Sequence, residues 1–333
     1  MNTSRPVAGS LEALLERGTD RRVMAATDSK SGALLESVEL DGQRHVIKHL
    51  HVDDDWIMRS TGDIGCRPLQ VWRSGLLDQL PDCIEHAVVG AAEGEGRNGW
   101  GAALLMRDVS DHLVPPGDEP VSLEQHLGFM DHMAAMHAGF WGWKDEVGLC
   151  PPMHRYLEFS PESMALEEHR GWPDPVPPMI VDGWKQVAVS AGPTGAAVAA
   201  LARNPAPLVD ALAEMPQTFL HGDWKMGNLG TLPDGRTILL DWATPGRGCD
   251  PAELAWYLAL NSARLPQSKE AAIDAYRASL ERHGFRTESW WSEALDLALL
   301  GAMVWFAWEK VLHGPGPELS WWVQRAAAGL RRL

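Results

Sequence analysis

The sequence predicts an α+β fold, with a block of antiparallel strands placed ahead of a larger, mostly helical part. Three observations carry that expectation. Residues 23–50 alternate in steps of two and are broken by turn residues. Beyond Leu123 the apolar residues recur at steps of three and four, which is the helical period. Between these regions, residues 108–119 are rich in Asp, Pro and Gly and read as a connector. The chain is therefore expected to divide into a part at 1–107 and a part at 108–333, with a cleft between them. A length of 333 residues allows each part its own core.

Residues 11–16 suggest a short opening helix. Residues 34–40 alternate imperfectly, as an exposed strand does, and Asp41-Gly42 is a strong hairpin signal. Residues 43–50 supply the next strand. Three antiparallel strands are thus expected, with a polar turn at 28–32 after the first. Residues 68–77 read as a helix opened by Pro68, with Leu69, Trp72 and Leu76 on one face. Two more strands are expected at 84–89 and 100–106. In the second part, Leu123, Leu127, Met130, Ala134 and His137 share one helical face, and the histidines there are expected to be structural. Residues 151–193 carry many Pro and Gly and read as helices joined by loops. Helices follow at 197–214, with a break at Pro205 and Pro207, and at 251–262, 268–283, 290–311 and 319–333.

Composition narrows the function. The net charge of -16 disfavours nucleic acid or an anionic membrane as partner, because both require a basic face. Cys66, Cys83, Cys150 and Cys249 form no CxxC pair and have no His at zinc-finger spacing, so neither a disulfide framework nor a zinc site is expected. The first 18 residues lack the apolar core of a signal peptide, and no run reaches the roughly 18 apolar residues of a membrane span. A cytoplasmic protein without a membrane partner is the expectation. Most of the 16 tryptophans are expected in cores, leaving a few to stack on a ring or box a cation.

The sharpest chemical feature is Phe219-Leu220-His221-Gly222-Asp223-Trp224-Lys225-Met226-Gly227-Asn228, followed by a turn at Pro233-Asp234-Gly235 and then Leu239-Leu240-Asp241-Trp242. Phosphoryl transfer needs a carboxylate to orient and deprotonate the attacking hydroxyl, and hard oxygen ligands to hold Mg²⁺ against the phosphates. Asp223 suits the first task, and Asn228 with Asp241 suits the second. Taken singly, Asp223 reads as a turn residue and Asp241 as a strand cap; the order and spacing of the whole set favour the chemical reading.

This set resembles the aminoglycoside phosphotransferase and choline kinase group, small-molecule relatives of the protein kinases. That group's HGDxxxxN loop matches His221 to Asn228, its second metal-binding Asp matches Asp241, and its Gly-x-Asp-Pro helix opening matches Gly248-Cys249-Asp250-Pro251. The resemblance implies a protein-kinase-like two-lobed fold, ATP and Mg²⁺ as cofactors, and a small-molecule hydroxyl acceptor such as an aminoglycoside-like antibiotic, a sugar or an amino alcohol. It implies Asp223 as base and Lys225 as neutraliser of the transferred phosphate, with His221 and Asp250 structural. Val46-Ile47-Lys48 resembles the kinase strand whose lysine contacts the α- and β-phosphates. By position, Ser29, Ser31 and Gly32 would cover the phosphates, the backbone of Arg107 and Val109 would take adenine, and Met106 would line its pocket. One departure stands out. Kinases pair the strand lysine with a helix glutamate, and no Glu lies between Lys48 and Glu85. The matching position falls near Pro68, leaving Asp63, Gln70 or one of Asp53, Asp54 and Asp55 as candidates. A catalytically silent pseudokinase acting as a binding module is the rival reading.

Overall fold

The computed structural model describes residues 4–24, 33–94, 101–171 and 174–333. In chain order the first elements are α1 (Leu11–Leu14), β1 (Thr19–Val23), β2 (Leu35–Leu40), β3 (Gln43–Leu50), α2 (Trp56–Ser60), α3 (Arg67–Arg73), β4 (Ile84–Glu85), β5 (Val88–Glu93) and β6 (Ala102–Arg107). Helices α4 (Leu123–Gly139), α5 (Pro152–Leu157), α6 (Pro161–His169), α7 (Val176–Ser190), α8 (Gly192–Arg203) and α9 (Ala206–Ala213) come next. Then follow β7 (Thr218–Leu220), β8 (Leu229–Thr231), β9 (Thr237–Leu239), β10 (Gly246–Gly248), α10 (Asp250–Leu260), α11 (Lys269–Arg282), α12 (Trp291–Leu312) and α13 (Pro317–Leu330).

These elements form two compact units: Met1–Pro115 together with Gly227–Ala243, and Pro116–Met226 together with Thr244–Leu333. The division expected from the sequence is at residue 107. The boundary falls after Pro115, and a stretch from the far half of the sequence joins the first unit. Hydrogen bonding is the reason: β4 pairs in parallel with β9, which β8 flanks on its other side. Thr237 N–H donates to Cys83 O (2.9 Å), and Val114 N–H donates to Leu229 O (2.9 Å).

In the first unit, five antiparallel strands run in the order β1-β2-β3-β6-β5. The expected hairpin joins β2 to β3, with Asp41 at φ 49° and Gly42 at φ 75°. Positive φ at both turn residues suits the right-handed twist of the strands it links. Leu11 and Leu15 cover one sheet face against Val38, Ile47, Ala103 and Leu105. Because strand side chains alternate, burying Ile47 on that face directs Lys48 to the other.

Two local expectations change. The single strand expected at 84–89 is split between β4 and β5, which belong to different sheets. The helix expected at 68–77 stops at Arg73, where Gly75 takes φ 68° and a 3-10 turn follows over Leu76–Gln79. A left-handed glycine is the common helix stop.

The second unit is organised on α12, which is buried on nearly every side, as a central helix must be. Helices α7, α8, α10 and α13 pack on it. At Gly183 of α7 a Cβ would strike the Trp308 carbonyl, so the α7–α12 approach depends on that glycine. Trp224, Trp256, Trp305, Trp308 and Trp322 are buried, as composition led one to expect. Strand β7 pairs antiparallel with β10, Leu220 opposite Gly246, which sets the loop after β7 beside residues 244–248. Among the described residues no helix is long and apolar enough to cross a membrane.

Candidate active site

Lys48 leaves β3 and its Nζ meets Asp241 Oδ1 at 2.7 Å, although 193 residues separate them in sequence. Asp241 sits at φ 66°, a left-handed conformation that is strained for a non-glycine residue and recurs at functional sites. Leu240 N–H donates to Asn228 O (2.9 Å), so the β8–β9 hairpin brings Asn228 alongside the residue preceding Asp241. The two residues expected to hold metal are therefore neighbours on one hairpin, and both offer hard oxygen atoms.

Asp241 is a carboxylate that answers Lys48. Asp63 accepts the Arg67 N–H on both oxygens (3.1 and 2.9 Å), and Gln70 reaches Gly65 O. Asp55 is the member of the acidic run that comes close. It caps α2 by accepting from Ile57 N–H (2.8 Å) and Met58 N–H (3.0 Å). Burial pushes its carboxyl up to about 6; the Met58 N–H and Lys48 oppose this, and Asp241 adds to it. The sequence carried a signal for this role, since Asp before an apolar run is a favoured N-cap.

Ser29, Ser31 and Gly32 lie outside the described residues. At the end of β6, Arg107 N–H is given to Ala87 O (2.9 Å), so of its backbone groups expected to take adenine the carbonyl is the one to consider. The Arg107 guanidinium pairs with Glu85, which also binds Arg236 (2.6 Å). Val109 N–H makes no hydrogen bond among the described residues, while its carbonyl accepts from His112 N–H (3.0 Å). Met106 is half-buried opposite Val46.

In the second unit, Asp223 is held on both carboxylate oxygens. Trp256 Nε1–H donates to Oδ1 (3.0 Å), and Lys225 Nζ lies 2.7 Å from Oδ2. Asp223 N–H donates to His221 Nδ1 (3.2 Å), so His221 serves the loop as expected. A Cβ at Gly222, which takes φ 85°, would run into the Thr244 carbonyl, so the loop turns there on glycine alone.

A buried network beneath this loop was not foreseen. Glu253 of α10 accepts from Gly222 N–H (2.6 Å), His221 N–H (3.2 Å) and the His137 ring (2.9 Å). Burial works against its charge, yet the His137 contact and the Gly222 amide outweigh it and hold the carboxyl below the usual range. The other ring nitrogen of His137 bonds Tyr276 (2.6 Å). Arg155 donates to Gly222 O (2.5 Å), pairs with Glu158 and stacks on Trp256 with its guanidinium carbon 3.7 Å from the ring centre. Burial lowers Arg155 to about 10, so it stays cationic at neutral pH. The step of three from Asp250 to Glu253 was the available clue, since it sets both on one helix face.

Asp250 opens α10, fully buried. Tyr276 O–H donates to its Oδ2 (3.2 Å), and Oδ1 has no hydrogen-bond partner among the described residues. Burial raises this carboxyl from 3.8 to about 7, against the pull of His137 and Tyr276. Its folded pKa is raised, so the stabilisation is complete below about pH 4 and is lost as pH climbs through about 7, amounting to about 4 kcal/mol at most. Asp250→Asn stays neutral throughout and is expected to flatten that part of the stability curve. Melting temperatures from about pH 4 to 8 check this; equal slopes in both proteins would contradict it.

No family model matches the sequence, and no curated protein matches it. The comparison of structures is informative about the fold. The choline kinase LicA from Streptococcus pneumoniae matches with 14% identity and a TM-score of 0.52, covering 97% of this chain and 96% of that one. A microcompartment-associated aminopropanol kinase matches with 14% identity and a TM-score of 0.52, over 93% and 90% of the two chains. A thermostable mutant of the aminoglycoside phosphotransferase APH(4)-Ia, in ternary complex with ADP and hygromycin B, matches with 13% identity and a TM-score of 0.50, over 97% of both. The fold is thus protein-kinase-like: an antiparallel five-stranded sheet in the N-terminal region and a mostly helical remainder.

Proposed function

We propose that this protein is an ATP- and Mg²⁺-dependent phosphotransferase that moves the γ-phosphate to a hydroxyl of a small molecule in the cytoplasm. One observation carries the reading: a strand lysine, Lys48, meets the motif carboxylate Asp241 at 2.7 Å, beside Asn228, within a kinase-like fold. Asn228 and Asp241 would hold Mg²⁺, which when bound offsets the charge of the phosphate oxygens. Lys48 would contact the α- and β-phosphates, and the Val109 amide would take adenine, with Met106 against the ring. Asp223 accepts the proton of the acceptor hydroxyl as that oxygen bonds to the γ-phosphorus and the bridging bond to ADP breaks. Trp256 fixes the rotamer of Asp223, and Lys225 neutralises the transferred group.

A silent nucleotide-binding module is the second reading, favoured by the lack of any Glu between Lys48 and Glu85. The first experiment is thermal melting with and without Mg·ATP. At about 100 times Kd, binding adds about 2.7 kcal/mol, a rise of a few degrees. Wild type is expected to show this rise only with magnesium, and Asp241→Asn is expected to lose it. A rise that ignores magnesium, or one that survives in the variant, would remove Asp241 from the metal.

A further inference from the structure

The second unit contains a cavity of about 100 Å³ beside the proposed base. Gly222 and Trp256 form part of its wall; the first precedes Asp223 in the chain and the second bonds its carboxylate. Whatever enters the cavity therefore lies against the two groups that position Asp223. Most of the remaining wall is apolar, with Val209, Leu212, Leu220, Ala252 and Trp305 contributing.

Three charged side chains reach the wall, and none is placed to receive a cation. Glu253 is engaged by two backbone amides and His137. Arg155 is itself a cation and lies over both indoles, with its guanidinium carbon 3.7 Å from the Trp256 ring and 5.0 Å from the Trp305 ring. Arg247 is exposed at the edge and adds a second positive charge. Indole faces ordinarily suit a quaternary or primary ammonium, and here Trp256 and Trp305 stand edge to face, 84° apart with ring centres at 5.1 Å. Here the protein's own guanidinium occupies that position. A second cation would have to displace a guanidinium that is already paired with Glu158 and bonded to the Gly222 carbonyl.

We infer that this cavity receives a compact, uncharged alkyl group of the acceptor, and that the acceptors are neutral alcohols, not amino-cationic ones. By proportion with apolar cavities of about 150 Å³ that take a six-carbon ring, the group holds about four carbons. The word acceptor rests on the phosphotransferase reading; the chemistry of the cavity does not.

The test is saturation-transfer NMR on the full chain, with 3-methylbutan-1-ol as the neutral probe and choline as the cationic one. Val209 is half-buried and Ala213 exposed on α9, both lining the cavity, so Val209→Trp and Ala213→Trp fill it from the rim. The expected result is transfer to the alcohol's methyl signals, reduced about tenfold or more by filling. If Val209→Trp melts early, Ala213→Trp carries the comparison. No transfer to the alcohol in wild type, equal transfer in the filled variants, or transfer to choline that filling abolishes would each overturn the inference. Melting with Mg·ATP on the same samples separates the two readings. A magnesium-dependent rise without alcohol transfer sinks the cavity inference alone; alcohol transfer without that rise sinks the phosphotransferase reading alone.

Discussion

Asp223→Asn is expected to lower kcat for acceptor phosphorylation by about 10²–10⁴ while leaving the Mg·ATP-induced rise in melting temperature unchanged. The side chain keeps its shape, and an amide oxygen can still accept the Trp256 N–H. What disappears is the capacity to take the hydroxyl proton and the countercharge for Lys225. KM for ATP should stay near its wild-type value, because an interaction made in the transition state is removed while nucleotide contacts remain. Measurement of ADP formation together with melting decides the matter. Turnover that survives intact would exclude Asp223 as base, and loss of the nucleotide-induced rise would assign it a structural task instead.

Glu253→Ala should produce the largest loss of stability. The substitution strips two backbone amides and a buried histidine of their common acceptor. Breaking a buried, hydrogen-bonded charge typically costs 3–5 kcal/mol, and here corresponds to a fall in melting temperature of roughly 10 °C. Glu253→Gln should lose less, since one oxygen remains to accept, while kcat should still drop because the loop ahead of Asp223 is less firmly held. A melting temperature within about 2 °C of wild type for Glu253→Ala would show that the loop does not depend on this carboxylate.

Much of the fold could be read directly because local signals and global pairing agreed. Asp41-Gly42 turned where a two-residue hairpin requires positive φ, and Ser268 capped α11 where a helix was expected to begin. The motif residues were legible for a similar reason: Asp223, Asn228 and Asp241 lie close in sequence on one loop and one hairpin. What stayed hidden depends on distant partners. Nothing local to residues 84–89 shows that Ile84 will pair with Thr237. Nor does any spacing reveal that Trp256 will reach Asp223, or that Arg155 will lie on Trp256. The identity of one group facing Lys48 was obscured by a rule borrowed from relatives, which looked for a helix glutamate and so passed over the carboxylate the motif itself supplied.

The pairing of β4 with β9 also bears on how the chain is made. Synthesis delivers Ile84 and Glu85 long before the ribosome reaches Leu239, a delay on the order of ten seconds at ordinary elongation rates. Through that interval the five-stranded sheet can assemble on the nascent chain, but its short neighbouring sheet cannot. The first unit to emerge is therefore among the last to be completed, and truncation anywhere before residue 239 leaves it without a complete closing hairpin. Nascent chains arrested just short of that point should expose Cys83 and the edge of β4 to protease and to thiol reagents, and a few dozen further codons, enough to clear the exit tunnel, should protect both.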